Sequence, residues 1–151
     1  MKTILLPALS RLLIAPLLVF AGSLAADDRP FREFGDYRVY YSAFNSSVLR
    51  PEVAAAYDIV RGRDRGLVNI AVIPAGAVGG RPAEVSGHVA NMFAQSQELK
   101  FFEVREDDAV YYLAPFRFAN EDPLTFTVTV KPMPDTPAYM LSFQRTFYHD
   151  R

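Results

Sequence analysis

Between Ala109 and Phe116 eight consecutive residues, Ala-Val-Tyr-Tyr-Leu-Ala-Pro-Phe, carry no formal charge, and Asp108 and Arg117 bound the run. Side chains alternate faces along a strand, so Val110, Tyr112, Ala114 and Phe116 lie on one side and Tyr111, Leu113 and Pro115 on the other. Both sides are apolar. A strand with one wet face alternates apolar with polar, so this one must be covered twice, as an interior strand is. Pro115 cannot donate to a ladder, which makes Ala114 to Asn120 a bend or edge segment at its far end.

The remaining segments have the same β character. Phe34 to Phe44 reads as a first strand, with Tyr37, Val39, Tyr41 and Ala43 on an apolar face. Asn45-Ser46-Ser47 ends it as a turn. Arg50 to Tyr57 is the one good helix, with Pro51 in the first turn, Glu52 after it and three alanines, and it stops near Val60. Leu67 to Ile73 is an almost wholly apolar strand and a second candidate for the interior. A loose hairpin-type loop with Gly76, Gly79 and Gly80 leads into a half-exposed strand over Glu84 to Phe93, which puts Val85, Gly87, Val89 and Phe93 on one face. Gln95-Ser96-Gln97 turns the chain back. Leu99 to Arg105 and Ala109 to Phe118 form an antiparallel hairpin across a short acidic turn. Leu124 to Lys131 alternates most cleanly, with threonines on the wet face, and Tyr139 to Tyr148 repeats the pattern after a rigid Pro132 to Pro137 loop. About seven strands joined by turns, with one short helix, predict a mainly all-β fold, an antiparallel two-sheet immunoglobulin-like sandwich; a small β-barrel is the alternative.

Residues 1–25 read as a cleavable export signal. Lys2 and Arg11 give a positive start, Leu12 to Phe20 an apolar core, and Ala21 to Ala25 the small residues that a signal peptidase needs. The uncharged stretch is shorter than the ~18 to 20 apolar residues of a spanning helix, so no stable membrane anchor is expected after cleavage. Residues 26–151 then form a single domain, and its expected location is the periplasm. Without Lys2 and Arg11 the 16 basic residues become 14 against 17 acidic ones, a formal charge of −3. A nucleic-acid partner, which demands clustered cations, is not expected. There is no Cys, so stability rests on apolar burial, to which twelve Phe and eight Tyr contribute.

No catalytic pattern stands out. The two histidines, His88 and His149, have no metal-ligand spacing between them, so neither metal nor cofactor is expected. No Gly-x-Ser-x-Gly elbow occurs, and the glycines at 76, 79 and 80 lack a phosphate-loop ending. Glu106-Asp107-Asp108 reads as a solvated turn rather than a calcium loop. Arg117, set between Phe116 and Phe118, reads first as an edge arginine with its stem on the aromatic surface. A binding role would join it to Arg65, Asn69 and Asn120, with Asn45 a further candidate in its turn.

Four runs carry a family resemblance: Phe34 to Ser47, Pro51 to Tyr57, Arg65 to Val72, and Tyr111 to Asn120. Together they resemble domain-of-unknown-function family 4426, small exported bacterial proteins. The resemblance implies a periplasmic β-rich domain and no assigned activity. The function expected is therefore a non-enzymatic accessory module that binds an envelope protein or a peptide. The alternative is a carrier of a small apolar or anionic ligand, with Tyr40, Tyr41 and Tyr112 around an apolar pocket. An enzyme that uses carboxylates alone is the third reading.

Overall fold

The computed structural model describes residues 29–132 and 136–151. The expected export signal and the middle of the proline-rich stretch lie outside them. Two antiparallel sheets face each other and do not close into a barrel. Five strands form one sheet: β1 (Phe31–Phe34), β2 (Tyr37–Asn45), β3 (Arg65–Pro74), β6 (Phe102–Glu106) and β7 (Ala109–Arg117), in the order β1-β2-β3-β7-β6. The other holds β4 (Ala83–Asn91), β5 (Ser96–Leu99), β8 (Asp122–Pro132) and β9 (Tyr139–Phe147), in the order β5-β4-β8-β9. Between β2 and β3 lie a 3-10 turn, Ser46–Val48, and one helix, α1 (Pro51–Ala56).

The sandwich is as expected; its strands are nine among the described residues rather than seven, for two reasons. Phe34 to Phe44 is not one strand, because Gly35 and Asp36 form a two-residue turn and Phe34 pairs with Tyr37. Gly35 sits at φ +54, a conformation open to glycine at little cost. Leu99 to Arg105 also divides: Leu99 ends β5 in one sheet and Phe102 starts β6 in the other, with Lys100 and Phe101 crossing between them. The Pro74 to Pro82 stretch likewise passes from one sheet to the other instead of closing a hairpin. Ser96 and Gln97, expected in a turn, pair in β5, and β4 stops at Asn91. Phe93 therefore leaves the inner face and is 78% exposed. The helix ends at Ala56, short of the expected Val60.

Between the sheets Val39, Val68, Ile70, Val72, Tyr112, Ala114 and Phe116 meet Val89, Leu124, Phe126, Val128, Val130 and Phe147. Those from β8 are the alternation read from its sequence. β3 is the middle strand of its sheet. β7 pairs with β6 over Ala109 to Leu113 and with β3 over Tyr112 to Arg117, so beyond Leu113 it has β3 alone, since β6 begins at Phe102 opposite Leu113. Pro115 thus sits in a strand, not a bend, on its free side. On the other face of the uncharged run only Leu113 is buried, beside Leu67 of β3, while Tyr111 is half-buried and Pro115 exposed, so the run is covered twice only in its middle and not along its length as expected.

Candidate functional site

Four of the five candidate residues gather at one end of the sandwich, where β2, β4, β7 and β9 end and β3 and β8 begin. Their partners divide them into two groups. Asn45 donates from Nδ2 to the carbonyl of Tyr148 at 3.0 Å and to Asp150 Oδ1 at 2.9 Å. Ser47 Oγ donates to the other oxygen of Asp150, and Asn120 Oδ1 accepts from the His149 amide at 2.9 Å. Asn45 and Asn120 thus fasten the C-terminal segment. The sequence of the turn hid this for Asn45, because its partners lie about a hundred residues away. Beside them the His149 ring lies 5.8 Å from that of Phe118, with its Nε2 buried and unbonded.

Hydrogen bonds from Ser47 first, then Asn45, hold the Asp150 carboxyl below its usual pKa. Those from Arg105 and Tyr112 do the same for Glu103, and those from Tyr111 and Tyr57 for Glu106. Glu106 is therefore more than a solvated turn residue: it accepts from Tyr57 at 3.0 Å, and burial together with this carboxylate pushes the Tyr111 phenol up to about 12. A carboxyl whose pKa is depressed by folding stabilises the fold above its unfolded pKa, near ~4, and loses that contribution as pH falls through the folded value. The urea midpoint of Asp150→Asn is accordingly expected to lie below that of the parent at pH 7 and to converge with it near pH 3. A gap that persists unchanged at pH 3 would show that the charge of Asp150 does not fasten the segment.

Arg65 and Arg117 form the other group. They are direct cross-strand partners of β3 and β7. Like charges in that relation repel. Arg65 has Asp64 4.0 Å from its Nε, whereas Arg117 is exposed and has no carboxylate partner among the described residues. Both line a hollow of about 300 Å³ beside the stretch of β7 that β6 leaves uncovered. Ile59, Val60, Phe102, Pro115 and Phe116 supply its apolar wall, and Asp58 and Gln97 complete it. None of the wall residues from the 58–60 segment could be foreseen, because nothing in their sequence says where that loop docks.

Gln97 closes the free edge of β7. Its Nε2 donates to the Arg117 carbonyl at 2.7 Å and its Oε1 accepts from the Arg117 amide at 2.9 Å, as a neighbouring strand would. Pro115, two residues earlier and on the same side, has no N–H to offer. An adjoining, more open hollow of about 540 Å³ shares Gln97 and Arg117. Its other polar groups are largely committed: Asn91 Oδ1 accepts from the amides of Phe93 and Gln95, and Asp122 accepts from Ala119.

Asn69 stands apart. It lies two residues beyond Leu67, opposite Ser42 and Leu113, and its Oδ1 is buried without a partner. It does not line the hollow. The three tyrosines proposed around a pocket also separate. Tyr112 is in the core, where its hydroxyl accepts from Ala83 and donates to Glu103. Tyr41 packs on Phe143 at 4.7 Å, and Tyr40, one residue earlier, faces the opposite way against Phe31.

The fold and this end together define a small antiparallel β-sandwich with an arginine-walled hollow. The chain belongs to the family described as domain of unknown function DUF4426, whose model matches residues 31–150. It is similar to the crystal structure of a DUF4426 family protein from Pseudomonas aeruginosa PAO1, with 33% identity and a TM-score of 0.72 over 80% of this chain and 95% of that one. The fold also resembles FetP of uropathogenic Escherichia coli strain F11, recombinantly expressed in the periplasm of E. coli BL21(DE3), at 11% identity and TM-score 0.59, covering 80% of this chain and 94% of that one. A copper-bound FetP variant, also 11% identical, aligns at TM-score 0.57 over 79% and 94%. No curated protein matches the chain. Among the described residues no three His, Cys, Asp or Glu side chains come together to hold a metal. No helix among them is long and apolar enough to cross a membrane.

Proposed function

We propose that the protein is a non-enzymatic binding domain of the bacterial periplasm, and that the hollow at Arg65 and Arg117 takes an anionic ligand. The observation that carries this is the pair of guanidinium groups placed directly opposite each other at an apolar hollow, one of them without a counter-ion. An anion between them would convert repulsion into two charge-assisted contacts. The periplasmic part rests on the leader-like N-terminus and on a fold neighbour that was expressed there. Of the two kinds of ligand that the sequence suggests, the geometry favours a small one. A peptide that joined β7 as an added strand would meet Pro115 and the Gln97 amide instead of free backbone groups.

The side-chain Nε–Hε signals of Arg65 and Arg117 report the outcome directly by NMR. Titration with carboxylates and inorganic phosphate is expected to move both signals together and to saturation, and Arg117→Gln is expected to abolish the response at Arg65. At ~100 times its dissociation constant the bound anion should add ~2.7 kcal/mol of stability. Two arginine signals unmoved by every anion tried would refute the reading.

A further inference from the structure

We infer that the ligand of this hollow is an amphipathic monocarboxylate of about eight carbons, its carboxyl included. This rests on the anion-binding reading above and adds the ligand's charge, size and shape.

The charge follows from the wall. Arg65 and Arg117 contribute two positive charges and Asp58 one negative, which leaves one to be matched. Asp64, 4.0 Å from Arg65 Nε, does not line the hollow, and Arg117 is the guanidinium left without a carboxylate. A monoanion matches the one charge left over in the wall, whereas a phosphate dianion would exceed it beside Asp58. A planar carboxylate also suits the forked donors of a guanidinium group.

The body follows from the rest of the wall. Five of the nine lining residues are apolar, and Ile59, Val60 and Phe102 come from segments other than the β3–β7 pair that carries the arginines. A liquid allots ~30 Å³ to a water-sized group, so a volume of about 300 Å³ holds about ten non-hydrogen atoms. An eight-carbon carboxylate has that many. Val60, 63% exposed in the free protein, would be covered by the chain of such a ligand. The closed edge of β7 excludes the competing idea of a peptide carboxyl terminus laid down as a strand, because Gln97 already holds the Arg117 amide and carbonyl.

Calorimetric titration of the full domain with octanoate, acetate, inorganic phosphate and octylamine tests this. Each buried methylene contributes about fourfold to affinity, so octanoate is expected to bind at least about a hundredfold more tightly than acetate even if only part of its chain is buried. Phosphate is expected to bind no better than acetate, and octylamine not at all. Arg117→Gln should weaken octanoate at least tenfold. Val60→Asp, a change at an exposed position, should weaken octanoate while leaving the NMR response to acetate in place. If acetate or phosphate binds as tightly as octanoate, the apolar body is refuted and the anion site survives. If octylamine binds as octanoate does, the arginines do not read the head group and both readings fail. If none of the four binds, both fail as well.

Discussion

Replacing Phe126 with alanine is expected to destabilise the protein by about 4 kcal/mol, a large share of the ~5 to 15 kcal/mol by which a domain of this size is folded. Phe126 is fully buried in the middle of β8. Its ring stacks on that of its cross-strand partner Phe143, at 4.8 Å and 10° between planes, and meets Phe116 of the opposite sheet edge-on at 5.1 Å. It therefore joins the two sheets, and its neighbours are strand residues that cannot collapse into the space it would vacate. The cost contains the lost transfer energy of the ring and the cavity left behind. Urea denaturation measures it, with Phe93→Ala as the control: that side chain is 78% exposed and should change stability by no more than ~0.5 kcal/mol. A loss below ~1.5 kcal/mol at position 126 would mean that the ring does not anchor the inter-sheet core.

What could be read in the sequence and what could not divide along a physical line. The alternation of Leu124, Phe126, Val128 and Val130 is a local property, and all four are buried. The same holds for the hairpin of β6 and β7, whose turn at Asp107 and Asp108 leaves no room for another connection. Sheet membership is not local. The chain changes sheets at Lys100 and Phe101 without a Gly or Pro to mark the place, so two strands there look like one. The turn at Gly35 and Asp36 was likewise hidden inside a run of β-forming residues, where one glycine is as compatible with a bulge as with a hairpin. For the site, residue types were informative but convergence was not. Arg65 and Arg117 meet because β3 and β7, some fifty residues apart in the chain, pair in one particular register. Asn45 and Asn120, which looked equivalent to them, are taken up by the C-terminal segment. Asn69, two residues along β3 from Leu67, shares the strand and not the hollow.

The register that brings the arginines together also depends on a residue with no side chain. Gly66 pairs with Phe116 on the inner face, next to the Arg65–Arg117 pair. A Cβ added at Gly66 would lie 2.3 Å from Phe116 Cζ and within 2.8 Å of both ring Cε atoms. The ring cannot swing clear, because Phe126 and Phe147 each hold it edge-on at 5.1 Å. Gly66→Ala is therefore expected to cost about 3 kcal/mol through overpacking, although alanine is a better strand residue than glycine on an open surface. A double-mutant cycle separates this clash from a backbone effect. In a Phe116→Val background the ring is gone, and Gly66→Ala should cost no more than ~1 kcal/mol, a coupling of about 2 kcal/mol. Additive losses would place the requirement for glycine in the backbone instead. Gly66 and Phe116 adjoin the Arg65–Arg117 pair in β3 and β7, so the strand shift that makes room for the added methyl should weaken anion binding even at temperatures where the variant is fully folded. Core packing and ligand affinity then fail together, because one strand register sets both.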